Sequence, residues 1–176
     1  MSESENIQHF YSTFVKESLI KHNYSADVIQ KIFDRQTRCV NNNEFPNYFL
    51  IFDDMTSDLA KMKKEPLMVK LYKEGRHYKI NMYFLFHDAG DIPSYAKTNA
   101  DFIFILQQNN YQEKDKLYKL YGGMFQKKKD FYHALDKLTD NYGCMVINNK
   151  SRSNNIKDRV FSYRATNPPP RFQLLL

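Results

Sequence analysis

Two kinds of hydrophobic pattern alternate along the chain. Residues 6–20 place Ile7, Phe10, Tyr11, Phe14 and Leu19 at helical spacing, which predicts a first helix. Ser25 is a good N-cap for a second helix carrying Val28, Ile29, Ile32 and Phe33 on one side. Asn41-Asn42-Asn43 and Pro46 end that pattern. Tyr48-Phe49-Leu50-Ile51-Phe52 is different in kind: a continuous apolar run, stopped by Asp53-Asp54. Such a run predicts a strand covered on both faces, as in a parallel sheet. Pro66 and Gly75 bracket a further helix. Met82–Phe86 predicts a second covered strand, ended by His87-Asp88, and Phe102–Leu106 a third, with a short helix over Pro93–Lys97 between them.

Strand, helix, strand, helix, strand in so short a stretch predicts right-handed crossovers and a parallel sheet. Beyond it, Tyr111–Tyr121 and Lys129–Leu138 read as helices separated by Gly122-Gly123. Cys144–Ile147 and Arg159–Tyr163 read as strands around the polar, basic loop Asn148–Lys157. The expected organisation is a helical segment over 1–45, an α/β core over 46–166 and an extended Pro-rich tail over 167–176. The tail is Asn167-Pro168-Pro169-Pro170-Arg171 followed by apolar Phe172 and Leu174–Leu176, which either dock on a neighbour or fray.

Composition narrows the class without naming a function. With 176 residues, 42% apolar and 26% charged, the chain suits one soluble globular domain. Lys and Arg exceed Asp and Glu by 26 to 20, giving +6 and a pI near 9.1. That bias permits a polyanionic partner and equally suits a solvated basic surface. Cys39 and Cys144 are too few for a disulfide framework or a four-ligand zinc site, and read as reduced buried thiols. The polar, acidic opening MSESENIQHF has no secretory pattern, and no apolar run approaches the ~20 residues of a membrane span. The expected setting is therefore cytosolic, with no membrane partner.

Asp53-Asp54 is the most informative chemistry. Two adjacent acids at the end of an apolar strand repel each other. Ligands in open parallel sheets bind at the carboxyl ends of strands. A hard divalent cation such as Mg²⁺ would relieve the repulsion through carboxylate oxygens. The bland alternative is a strand that simply ends in a polar loop. His87-Asp88 closes the second strand in the same way. A polar side chain there could sense a phosphate or its attacking water, or Asp88 or Asp91 could merely cap the short helix. His22, His77 and His133 show no spacing that would complete a metal phosphohydrolase site.

From Asn47 to Leu106 the chain resembles the genome-packaging ATPases of nucleocytoplasmic large DNA viruses, of poxvirus and iridovirus type, in the FtsK/HerA group of P-loop motors. The residues that carry the resemblance are Phe49–Asp54, Leu71-Tyr72-Lys73-Glu74-Gly75-Arg76-His77-Tyr78-Lys79-Ile80, the strand ending at His87, and Thr98-Asn99-Ala100-Asp101-Phe102-Ile103-Phe104. The resemblance implies a P-loop NTPase-like α/β fold, with a mostly parallel sheet flanked by helices. It implies that Asp53 coordinates Mg²⁺ and that Asp54 is the catalytic acid of an ATPase. His87 falls where family members carry a sensor glutamine. Arg76 precedes the second strand, ten residues from Phe86, so it stands ~25–30 Å from the nucleotide edge at ~3.3 Å per residue. It could act on a neighbour's phosphates as an arginine finger in a ring, or form an ion pair with Glu74 or a surface aspartate.

The same resemblance makes one absence conspicuous. A phosphate loop needs Gly-x₄-Gly-Lys-Ser/Thr. Gly75, Gly90, Gly122, Gly123 and Gly143 are the chain's glycines, and none precedes Lys-Ser or Lys-Thr. The chain thus looks like the C-terminal, Walker B half of such an ATPase. Its expected function is as a subunit, or part of one, of an ATP-driven motor moving double-stranded viral DNA into capsids. Its expected partners are DNA phosphates and either a homo-oligomeric ring or a chain bearing Walker A, at a cytoplasmic assembly site or in the virion. Lys61, Lys63 and Lys64, Lys127–Lys129, and Lys150, Arg152, Lys157 and Arg159 are the candidate DNA contacts, or ordinary solubilising charge. Two rival readings remain: a structural or DNA-binding subunit without hydrolysis, and a Mg²⁺-dependent nuclease or phosphatase using Asp53, Asp54 and Asp88.

Overall fold

The computed structural model describes residues 11–55 and 58–166. The expectations for residues 1–10 and for the 167–176 tail lie outside the described residues. The protein is mixed α/β and divides into two compact units, one running to His87 and the other beginning at Asp88. That division falls inside the stretch read from sequence as one continuous α/β core.

In the first unit, Tyr11–Thr13 and Glu17–Leu19 form short 3₁₀ turns in place of the expected helix. Ser12, Thr13 and Ser18 sit within or beside those turns, where hydroxyl side chains compete for backbone partners. Helix α1, Ala26–Asn41, starts as expected: Ser25 Oγ accepts a hydrogen bond from the Val28 amide at 3.4 Å. Strand β1, Tyr48–Asp53, is followed by helices α2, Leu59–Lys64, and α3, Pro66–Glu74. A 3₁₀ turn, Gly75–Tyr78, then leads into strand β2, Ile80–Leu85. Strands β1 and β2 run parallel, with Tyr48 opposite Ile80 and Asp53 opposite Leu85.

One face of this pair is packed and the other is not. Phe52 and Phe84 stack at 4.4 Å, and Tyr72 of α3 stacks on Phe84 at 4.8 Å. Ile29, Ile32 and Phe33 of α1 and Met68 and Leu71 of α3 complete the buried side. Phe49, Ile51, Tyr83 and Leu85 are exposed. The expectation of strands covered on both faces is thus corrected for β1 and β2. Side chains alternate across a strand, so the helices that cover residues 48, 50 and 52 leave 49 and 51 on the other side.

The second unit contains helix α4, Ser94–Asn99, strand β3, Phe102–Ile105, helices α5, Tyr111–Tyr121, and α6, Lys128–Leu138, and strands β4, Cys144–Asn148, and β5, Val160–Tyr163. Strand β3 does not extend a parallel sheet. It pairs antiparallel with β4, which pairs antiparallel with β5. The physical reason lies in the connection. Helices α5 and α6 have 11 residues each, so the chain travels ~16 Å out and the same distance back at ~1.5 Å per residue. A path that returns to the end it left delivers the next strand in the opposite direction. Phe131 and Leu135 of α6 and Met145 and Ile147 of β4 are fully buried and centre this unit's core, with Ile105, Leu117 and Tyr121 around them.

Candidate functional site

The parallel pairing of β1 and β2 puts the carboxyl ends of both strands on one edge. Asp53 is the last residue of β1 and stands opposite Leu85, so His87, two residues further on, reaches the same edge. Asp54 has φ 45°. That left-handed conformation is uncommon for a residue with a side chain, and Asp is among those that tolerate it. The chain turns sharply there, and Asp54 Oδ2 lies 3.7 Å from His87 Nε2. This distance is an ion pair when the imidazole is protonated and too long for a direct hydrogen bond.

Asp53 is half-buried, and its Oδ2 accepts a hydrogen bond from the Tyr11 hydroxyl at 3.0 Å. Nothing in the sequence pointed to Tyr11, because 42 residues separate it from Asp53. An ionised carboxylate offers about four acceptor positions, so this bond leaves Asp53 capacity for a cation. The donor set is therefore two carboxylates of hard oxygens and one imidazole. Mg²⁺ is bound by one or two carboxylates together with waters and substrate phosphates, and the half-buried Asp53 carboxylate meets the lower end of that requirement. Among the described residues there is no cluster of three or more His, Cys, Asp or Glu side chains able to hold a metal alone.

Arg76 sits at the opposite end of β2. It is exposed in the Gly75–Tyr78 turn, before the strand begins, and Lys79 follows that turn at φ 57°. Gln36 of α1 holds this turn. Its side chain is fully buried and donates to the Tyr78 carbonyl at 2.8 Å and to the Pro46 carbonyl at 2.9 Å. The structure therefore brings Asp53, Asp54 and His87 to one edge and leaves Arg76 on the other.

Asp88 belongs to the second unit and has a structural role. Its Oδ1 accepts from the Gly90 amide at 2.6 Å, and Lys116 Nζ approaches its Oδ2 at 3.0 Å. The amide bond first, then Lys116, hold this carboxyl below the ordinary carboxylate range. Asp88 thus caps the 3₁₀ turn Ala89–Asp91 rather than the short helix, whose N-cap is Pro93 without a side-chain cap bond. Cys144 is buried, and that burial pushes its thiol up, whereas Cys39 is half-buried rather than buried. No helix among the described residues is long and apolar enough to cross a membrane.

Several basic candidates are engaged within their own unit. Lys128 pairs with Asp115, and Lys150 approaches Asp101 at 3.8 Å. Lys61 lies over the Tyr24 ring, 5.6 Å from its centre.

No protein-family model matches the chain. Viral proteins match along most of it. It is 26% identical over 174 residues to the uncharacterized protein L437 of Acanthamoeba polyphaga mimivirus, covering 94% of this chain and 61% of that protein. It is 28% identical over 165 residues to the uncharacterized protein 088R of Invertebrate iridescent virus 3, covering 94% of this chain and 63% of that one. The uncharacterized protein 015R of Frog virus 3 (isolate Goorha) is 28% identical over 166 residues, which cover 94% of this chain and 51% of that protein. The chain thus spans between about half and somewhat under two thirds of the length of the viral relatives it resembles.

Proposed function

We propose that the chain is the Walker B half of a P-loop-type, ATP-driven motor that packages double-stranded viral DNA. The observation that carries this reading is the acid pair at the carboxyl edge of parallel strands β1 and β2, with His87 brought against Asp54. The viral relatives support a viral setting, either the assembly site in the host cell or the virion.

In this mechanism Asp53 would hold Mg²⁺, and Tyr11 fixes the carboxylate's orientation through Oδ2. The bound cation supplies positive charge against the triphosphate substrate. Asp54 accepts a proton from the attacking water. His87 orients that water or a phosphate oxygen. Arg76, beyond the far end of β2, serves a neighbouring subunit. The chain's own residues supply no triphosphate cradle, because none of its five glycines has the phosphate-loop spacing. A partner segment must provide it.

The test is ATP hydrolysis by the purified chain, alone and mixed with a phosphate-loop-bearing partner. Hydrolysis is expected in the mixture. Asp53→Ala is expected to abolish it while leaving the fold intact by circular dichroism. A partner-dependent rate unchanged by Asp53→Ala would refute the site assignment.

The missing glycines also favour a second reading, a DNA-binding or structural subunit that keeps the fold without hydrolysis. It predicts DNA binding that falls steeply with salt and no nucleotide binding in equilibrium dialysis, even with the partner present.

A further inference from the structure

The exposed face of β1 and β2 is the least explained surface of the first unit. Phe49 is 56% exposed, Ile51 44%, Tyr83 51% and Leu85 47%. The register places Ile51 beside Tyr83 and Asp53 beside Leu85. Phe49 and Tyr83 stack on each other at 6.3 Å. These four side chains form one continuous apolar strip that runs up to the carboxylate of Asp53. Among the described residues each strand has a single neighbour, so both outer edges are also unpaired.

The second unit carries exposed aromatics as well, Phe102, Phe104, Phe161 and Tyr163. The two sheets differ in what physics tolerates. An antiparallel sheet commonly has one face in water, whereas a parallel sheet is found almost only with both faces covered. The demand for a cover therefore falls on β1 and β2.

We propose that this face is the docking surface for the segment that the relatives carry outside the matched region. Those relatives extend well beyond the match, which covers 61%, 63% and 51% of their lengths. In them the segment is tethered to the matched part, so its effective concentration at the face is high. A segment that adds a strand at a free edge and lays a helix on Phe49, Ile51, Tyr83 and Leu85 would complete the sheet and exclude water up to Asp53. That this segment also bears the phosphate loop rests on the motor reading above. The docking itself does not.

Hydroxyl-radical footprinting without nucleotide tests the docking, on this chain and on intact protein 088R of Invertebrate iridescent virus 3. Labelling of each peptide is normalised to the urea-unfolded protein. In this chain the peptides containing Phe49 and Tyr83 are expected to label as exposed segments. In 088R the aligned peptides are expected to lose that labelling. Equal labelling in the two proteins overturns the proposal. Protection in this chain that grows with its concentration assigns the face to a second copy and overturns it. Protection at every concentration assigns the cover to the chain's own residues and overturns it too.

Substitution gives an independent readout. Phe49→Lys with Tyr83→Lys removes the stacked ring pair, so it is expected to lower the unfolding midpoint of this chain a little and the aligned pair to lower that of 088R by clearly more. An equal loss in the two, or none in either, counts against docking. Because no nucleotide is present, a footprint that matches expectation beside absent hydrolysis would remove the motor reading alone.

Discussion

Gln36 shows how one buried amide organises a site it does not touch. It lies on the inner side of α1 among Ile29, Ile32 and Phe33, where an apolar residue would ordinarily sit. Its two N–H donors go to Pro46, just before β1, and to Tyr78, just before β2. Its Oε1 accepts from Arg35 Nη1 at 2.7 Å, so the amide is fully used. The entry points of both parallel strands are thus tied to one side chain. Gln36→Met keeps the volume and removes both donors. It is expected to destabilise the protein by about 1–3 kcal/mol, because the two hydrogen bonds from a buried side chain to the carbonyls before each strand are lost. Urea unfolding followed by circular dichroism measures this, and a change within error of zero would show that water replaces the amide. A lone Gln on an apolar helix face was visible in the sequence, but its partners lie 10 and 42 residues away and were not. Asp53 and Asp54 were legible for the opposite reason: charge next to an uninterrupted apolar run is a local signal. The 3.7 Å approach of His87 to Asp54 depends on strand register, which no local pattern encodes.

Helices α5 and α6 are held together by charge as well as by their apolar sides. Asp115 on α5 is approached by Lys128 at the start of α6 and by Lys119 one turn along α5. The hydrogen bond from Lys128, then that from Lys119, lower the Asp115 carboxyl from 3.8 to about 2. The sign follows from linkage. A carboxyl whose folded pKa is depressed contributes stability above its unfolded pKa, and that contribution disappears as pH falls through about 2. The variant Lys119→Met with Lys128→Met is therefore expected to melt below the wild type at neutral pH. The gap should close as pH is lowered from 3.8 towards about 2. The pair is exposed enough that the gap will be small, and added salt should narrow it. A gap independent of pH would mean that the lysines act through packing alone. These two helices were read from sequence almost to the residue, because their apolar positions recur at 3.6-residue spacing and Gly122-Gly123 separates them. The strands they connect were also found. Their pairing was not, since Phe102–Leu106 carries the same apolar composition whether its neighbour runs parallel or antiparallel. The same limit produced the expectation that β1 was covered twice: when both faces of a strand are apolar, the two-residue period that marks a single buried face is invisible.

The placement of Arg76 has a consequence for the whole assembly. Tyr48 pairs with Ile80 at one end of the parallel strands and Asp53 with Leu85 at the other. Arg76 precedes the first end, whereas the acids and His87 follow the second. The intervening six residues of β2 span ~20 Å at ~3.3 Å per residue, well beyond the reach of an arginine side chain. Arg76 therefore cannot complete the edge formed by its own Asp53. If the motor reading holds, it completes a neighbour's, and this is testable without knowing the size of the ring. In the presence of the phosphate-loop partner, Arg76→Ala and Asp53→Ala subunits should each be inactive alone. A mixture of the two should recover part of the ATPase rate. At some interfaces the intact acids of an Arg76→Ala subunit will face the intact Arg76 of an Asp53→Ala subunit. Were Arg76 to act within its own chain, every subunit in the mixture would lack one required group and no rate would return. Were it only a surface residue of the Gly75–Tyr78 turn, Arg76→Ala alone would stay active. Recovery on mixing is thus the single outcome that requires a shared site, and it ties the position of a short turn before β2 to the way subunits cooperate.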